Sequence, residues 1–307
     1  MDSRVTRILA PNPSPMTLEG TNTYLLDSGD GSGAVIDPGP VNARHLDAID
    51  SAAAQRELKI AAILVTHGHP DHAPGAAPLA RRTGAPVYAH PVARFPHDRV
   101  LDEGAHLTLG KLNLRAIDAP GHARDHLVFY LDEEAALFTG DVVIGRGTVV
   151  IAPPNGDMRA YQSTLRRLRD EFPRARRIYG GHGDAIDDPS AKLDEYIAHR
   201  RAREVALLEA LGTGPRTIPE LVERLYQDVS PILWPAAARQ ILAYLIALER
   251  EGRVRAHELP RPPNAAERAL LAPDLSKLAD PESAAVARAE LGFDAPLTSI
   301  AAYELAP

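Results

Sequence analysis

The first 180 positions alternate short apolar runs with turn-forming residues. Thr21–Leu26 and Ala34–Ile36 read as strands joined across Asp27-Ser28-Gly29-Asp30-Gly31-Ser32-Gly33, whose residues tolerate left-handed dihedrals, so a hairpin is expected. Asn42–Leu58 carries a loosely amphipathic helix, and the nearly unbroken apolar run Ile60–Thr66 predicts a strand buried on both faces. Further strands are expected at Val87–Ala89, Leu112–Ile117, Leu127–Leu131, Ala135–Thr139 and Arg177–Tyr179, with a helix over Met158–Glu171. Strands interleaved with helices imply sheets covered by helices, a layered α/β or α+β fold.

From Asp188 the pattern becomes helical. Asp188 is an N-cap with Pro189 at the first helical position, and the apolar side of that helix runs to Gly212. Thr217 and Glu220 form a capping box ahead of Ile218–Tyr226; Pro235 opens a helix ending at Gly252; Arg253–Glu258 reads as a strand. Three helices and a strand suggest a small winged-helix-like domain. The reading divides the chain into residues 1–187, 188–259 and, beyond the hinge at Pro260, Pro262 and Pro263, an extension 260–307. That extension has Ala-rich helical candidates at Ala265–Leu271 and Glu282–Leu291 and no assigned place.

Composition narrows the chemistry. With 307 residues, 45% hydrophobic and 24% charged, the chain is an ordinary globular protein rather than a disordered or fibrous one. The absence of cysteine removes disulfides, iron–sulfur clusters, thiolate zinc sites and cysteine nucleophiles. A net charge of −7 argues against a broad nucleic-acid surface. No uninterrupted apolar run reaches the roughly 18–20 residues of a membrane span, and the start of the sequence lacks a secretory h-region, so a cytoplasmic protein with no membrane partner is expected.

The dense chemical signal is Thr66-His67-Gly68-His69-Pro70-Asp71-His72, directly after the apolar strand. A turn leaving a rigid strand can aim such side chains inward, where a helix would spread them around its circumference. His122 in Pro120-Gly121-His122, Asp141 in Thr139-Gly140-Asp141 and His182 in Gly180-Gly181-His182-Gly183 each follow a strand beside glycine. Five His and two Asp suit two metals better than one. Imidazole and carboxylate without thiolate favour Zn²⁺, with Mn²⁺ and Fe²⁺ compatible with the same donors. A bridging Asp141 would hold two cations roughly 3.5–4 Å apart around a shared hydroxide.

These motifs resemble the metallo-β-lactamase fold superfamily over residues 4 to about 187, through His-x-His-x-Asp-His followed by His, Asp and His on later strand ends. The resemblance implies a four-layer αββα sandwich. It implies His67, His69 and His122 as ligands of one metal, Asp71, His72 and His182 as ligands of the other, Asp141 as the bridge, and Asp71 as the group orienting the hydroxide. Asn12–Tyr24, Gly121-His122-Ala123-Arg124-Asp125-His126 and Tyr196-Ile197-Ala198-His199-Arg200 are similar to the lactamase-beta-2-like branch, which carries a C-terminal winged helix. That branch includes a mitochondrial endoribonuclease cleaving single-stranded RNA, and similar domains act as thioesterases in fungal polyketide synthesis.

A hydroxide between two cations can attack carbon or phosphorus, so the ligand set leaves the substrate open. Val142–Asp157 reads as a largely apolar loop that could wall the site or pack as core. Arg146 is a candidate for binding a substrate carboxylate or phosphate; His126 is a candidate for supporting the ligands or facing substrate. The run Arg166, Arg167, Arg169, Arg174, Arg176 and Arg177 is expected to be a solvated face. The leading expectation is a di-metal hydrolase of an ester, thioester, lactone or β-lactam-type amide. A ribonuclease, with RNA as partner, and a non-catalytic assembly protein are the alternatives. Pro235–Glu251, poor in charge, is expected to brace the site or a homodimer partner rather than read a nucleic-acid groove.

Overall fold

The computed structural model describes residues 4–273 and 300–306, together with positions 284 and 288. Six strands form the first sheet in the order β1 (Val5–Leu9), β2 (Asn22–Asp27), β3 (Ser32–Ile36), β4 (Lys59–Leu64), β5 (Val87–Ala89) and β6 (Arg99–Val100). Its first three strands pair antiparallel and the rest parallel. The second sheet contains β7 (His106–Leu109), β8 (Leu112–Asp118), β9 (Leu127–Leu131), β10 (Ala136–Gly140) and β11 (Arg177–Gly180), with β10 and β11 parallel.

Helices α1 (Ala43–Gln55) and α2 (Ala76–Thr83) cover the outer face of the first sheet, where Leu46, Ile49 and Leu79 pack with Ile63 and Val65. Tyr24, Leu26, Ile36 and Leu64 meet Leu114, Phe129 and Phe138 between the sheets. β4 supplies both cores, as its unbroken apolar run required. On the far side α3 (Met158–Glu171) and α4 (Pro189–Leu211) complete an α/β/β/α sandwich. Asn42, Asp157 and Asp188 cap α1, α3 and α4 through their side chains.

The C-terminal part is a small helical, winged-helix-like unit: β12 (Arg216–Thr217), α5 (Ile218–Leu225), α6 (Trp234–Arg250), β13 (Val254–Glu258), α7 (Ala265–Leu271) and β14 (Ala301–Leu305). The Thr217–Glu220 capping box is formed. The change of pattern at 187/188 marks a change of element type, not of core: Leu193 and Tyr196 of α4 share one buried cluster with Leu165 and Leu245. Chain beyond 260 also returns, because β14 pairs antiparallel with both β12 and β13 and lies between them. The helical expectation at Glu282–Leu291 falls, apart from Ala284 and Arg288, outside the described residues.

Pro231–Arg250 has the length and hydropathy of a membrane span despite its interruptions by Arg239 and Gln240. Here α6 spends its apolar side on packing, burying Ile241, Tyr244, Leu245 and Leu248.

Candidate metal centre

His67, His122, Asp141 and His182 each lie just beyond the C-terminal end of a strand, β4, β8, β10 and β11 respectively. The two sheets meet there: Asn22 N–H donates to Gly181 O at 2.7 Å, beside an isolated bridge between Thr21 and His182. A side chain at Gly181 would collide with Asp141 Oδ1 and His72 Cε1, so the backbone must pass this close without a Cβ.

The structure brings together all seven residues singled out for metal binding. Three groups have ligand atoms mutually within 4.8 Å: His67, His69 and His122; His67, His72 and Asp141; Asp71, His72 and His182. His182 Nε2 lies 3.3 Å from both Asp71 Oδ2 and Asp141 Oδ2, and His72 Nε2 lies 3.3 Å from Asp71 Oδ2 and 3.5 Å from Asp141 Oδ1. His69 Nδ1 and His122 Nε2 face each other at 3.0 Å. Donors bound to one zinc at about 2.0–2.2 Å in a tetrahedron stand roughly 3.4 Å apart, so these spacings fit shared cations.

Hydrogen bonds outside the cluster set the imidazole tautomers. His72 Nδ1–H donates to Asp37 Oδ2 at 2.8 Å, His122 Nδ1–H to Val150 O at 3.0 Å, and His182 Nδ1–H to Gly20 O at 3.2 Å. Thr66 gives its hydroxyl proton to Asp37 Oδ2 and accepts from His67 Nδ1 at 3.0 Å. In the neutral ring, the form that can bind a metal, each bond leaves the opposite Nε2 with its lone pair toward the centre. His67 Nε2, His72 Nε2, His182 Nε2, Asp71 Oδ1 and Asp141 Oδ1 are buried without hydrogen-bond partners. Such groups are costly to bury unless a cation takes the lone pairs, so the donor set fits divalent metal.

The charges divide the centre. Burial disfavours imidazolium at His72 and His182, yet Asp71 and Asp141 overcome it, holding His72 well above its ordinary value and His182 at about 10. Burial pushes down His67 and His122, with His69 at about 3; neighbouring imidazoles add to this at His67 and His69. Burial alone would raise Asp71 and Asp141, but their neighbours His72 and His182 keep both well below the carboxylate range.

His126 stays outside the ligand atoms. It stacks on His67 at 4.6 Å between centroids, and its Nε2 accepts the Asp141 backbone N–H at 3.1 Å, steadying two members of the cluster. Arg146 is 70% exposed and pairs with Glu19 at 2.8 Å on the edge of a cavity next to the centre. In the arginine run, Arg167, Arg169 and Arg177 pair with exposed or half-buried carboxylates, as a solvated face does.

Sequence reading missed Asp37, which accepts Thr66 N–H at 2.7 Å as well as the bonds from Thr66 Oγ1 and His72. It also missed Thr21, whose hydroxyl donates to Asp71 Oδ2 at 2.9 Å. Asp37 had a usable signal: like Asp141, it is an Asp next to the end of an apolar strand, here in Asp37-Pro38-Gly39.

The adjoining cavity, about 280 Å³, reaches His122, Asp141 and His182 and is closed by the loop Ile144–Val150 and by α4 and α6. The helices fasten that loop. Tyr196 OH accepts Ile144 N–H at 3.2 Å and donates to Gly147 O at 2.9 Å. Arg200 Nη2 donates to Val149 O at 2.7 Å, and Gln240 Oε1 accepts Ile151 N–H at 3.1 Å. Since Val150 O orients His122, the helical unit braces the centre. A second cavity, about 750 Å³, opens beside His69 and is lined by Phe95, Arg124 and Asn155.

Comparison with known proteins matches residues 16–182 to the metallo-beta-lactamase superfamily and residues 217–259 to the beta-lactamase-associated winged helix domain. A Drosophila melanogaster beta-lactamase-like protein 2 homolog is 34% identical over 276 residues, covering 83% of this chain and 91% of its own. An atrochrysone carboxyl ACP thioesterase of Aspergillus chevalieri is 35% identical over 272 residues, covering 82% and 85%. The crystal structure of a metallo-beta-lactamase family protein from Thermus thermophilus superposes with a TM-score of 0.70 at 26% identity, covering 83% of this chain and 96% of that one.

Proposed function

The chain belongs to the metallo-beta-lactamase superfamily, and from that premise we propose that it is a di-metal hydrolase of small acyl substrates: thioesters, esters, lactones or β-lactam-type amides. The observation that carries this reading is the convergence of unpartnered imidazole and carboxylate atoms beside a cavity large enough for an acyl group. His67, His69 and His122 would hold one cation, Asp71, His72 and His182 the other, with Asp141 between them, and the cysteine-free donor set suits Zn²⁺. When bound, the pair supplies an activated water nucleophile and positive charge for the developing oxyanion.

The chain's own residues position the reaction. Thr21 fixes Asp71 through Oδ2, which leaves Oδ1 to accept a hydrogen bond from the attacking water and orient it. Asp37, Thr66, Val150 and Gly20 hold the imidazoles against rotation. Ile144, Val149, Leu233 and Ala236 provide an apolar surface for an acyl body and exclude water. The acyl reading is supported further by the thioesterase relative.

The test is a panel of thioesters, simple lactones, β-lactams, a phosphodiester and single-stranded RNA, assayed with full-length protein of defined metal content. Thioester turnover should disappear on chelation and return with Zn²⁺. Acyl turnover indifferent to chelation sinks the proposal, and cleavage of RNA alone moves the chain to the ribonuclease reading.

A further inference from the structure

The cavity over the metal centre has a second charged wall that metal binding does not use. Arg200, 2% exposed, lies with its guanidinium 5.0 Å over the Tyr161 ring, and its Nε has no hydrogen-bond partner. One turn further along α4, the half-buried Arg203 sits 4.5 Å over Tyr226 and donates to Leu225 O at 2.6 Å. His199 lines the same wall. Among the described residues neither arginine forms an ion pair, whereas Arg146 at the edge is neutralised by Glu19 and Arg159 by Glu204 and Glu251. Among those residues, too, the only carboxylate lining the cavity is Asp141, which belongs to the metal centre.

Carbonyl oxygens and aromatic faces stabilise a guanidinium only partly, and a buried cation without a counter-charge is expensive. One such cation with the half-buried Arg203 beside it, in a chain whose net charge is −7, makes this wall locally positive. Burial, Arg200 and Arg203 together depress His199, as a positive wall requires.

We propose that this wall recognises a negative group, a carboxylate or a phosphate, on the acyl substrate. Arg203 and His199 contact that group, while Arg200 supplies charge from behind. The apolar surface of Val149, Leu233, Ala236 and Ala237 takes the body that links it to the scissile carbonyl. This rests on the acyl-hydrolase reading and narrows it: a planar guanidinium fork matches an oxyanion better than any neutral group.

The experiment uses the metal-loaded full chain with three N-acetylcysteamine thioesters, 4-carboxybenzoyl, its neutral isostere 4-carbamoylbenzoyl, and benzoyl, plus the benzoyl thioester of 4′-phosphopantetheine. The ratio of kcat/KM for anionic over neutral partner should be about 10- to 100-fold and collapse toward one in Arg203→Met, while Arg203→Lys keeps part of it. A gain for 4-carboxybenzoyl places the negative group on the acyl side; a gain for phosphopantetheine places it on the carrier arm. Equal kcat/KM within both pairs, or a preference unchanged in Arg203→Met, overturns the inference. So does turnover of a single-stranded oligonucleotide with none of the thioesters and no anion preference in binding. Calorimetry of 2-naphthoate against neutral 2-naphthamide separates the two claims: an Arg203-dependent preference for naphthoate without turnover of any thioester, lactone or β-lactam in the substrate panel removes the hydrolase reading and leaves the anion site. His199→Gln gives the same comparison if Arg203→Met does not fold.

Discussion

At the floor of the cavity, His67, His72, His122 and His182 turn Nε2 toward the centre, each ring held from behind by a hydrogen bond at Nδ1. On its wall, two guanidinium groups rest on aromatic rings and carbonyl oxygens with no carboxylate paired to them among the described residues. Both regions bury polar groups that the protein itself only partly satisfies, and the sign of the unmet demand differs. The floor is built for cations and the wall for an anion. The floor rests on polar support, whereas the wall combines polar bonds to the loop with apolar packing, α6 burying Ile241, Leu245 and Leu248.

That contrast is breakable. The largest effect is expected at the floor: His69→Ala, which removes one of three clustered imidazoles, should lower metal-dependent turnover by more than about 100-fold, beyond the usual loss for a residue behind a ligand. Steady-state kinetics at matched protein concentration reads this. Next, Asp37→Asn keeps the shape but weakens the acceptor for His72 Nδ1–H and Thr66, and should cost about 10- to 100-fold in metal affinity, measured by chelator competition. An unchanged affinity would mean the floor does not depend on its polar backing.

A wall substitution should behave differently. Gln240→Leu leaves Ile151 N–H unpaired and should destabilise the chain by about 1–3 kcal/mol in urea unfolding, with metal affinity altered far less than in Asp37→Asn. Equal losses of metal in the two variants would erase the distinction between floor and wall.

At neutral pH the last effect is a silent one, and it lies one layer beneath the floor. His45 Nε2 meets Thr23 Oγ1 at 2.7 Å, Thr23 in turn donates to Asp37 O, and burial pushes His45 down to about 4. A folded value below the ordinary 6.5 means a neutral imidazole in the fold and a readily protonated one in the unfolded chain. The stability it contributes is therefore whole above about pH 6.5 and is lost as pH falls toward 4, by no more than about 1.4 kcal/mol per unit. Urea midpoints of the parent and His45→Gln should converge on acidification over that window; parallel curves would contradict the assignment.

Local sequence determined a good deal of this protein. Apolar runs marked β4, β8, β9 and β10, the capping residues Asp188 and Thr217 marked helix starts, and the His67–His72 cluster announced a metal-binding centre, because strand periodicity, caps and ligand density act over a few residues. Tertiary structure alone decided the rest. β14 was invisible until its partners β12 and β13, far earlier in the chain, were in place, as the short span Ala301–Leu305 carries no record of whom it pairs with. Asp37 acquires its role only when β3 and β4 lie side by side, and Arg203 becomes a cavity residue only when α4 folds back over the loop it helps to enclose. Short-range physics chooses elements and ligand types; which charges meet, and which are left without a partner, depends on packing between positions far apart in the chain.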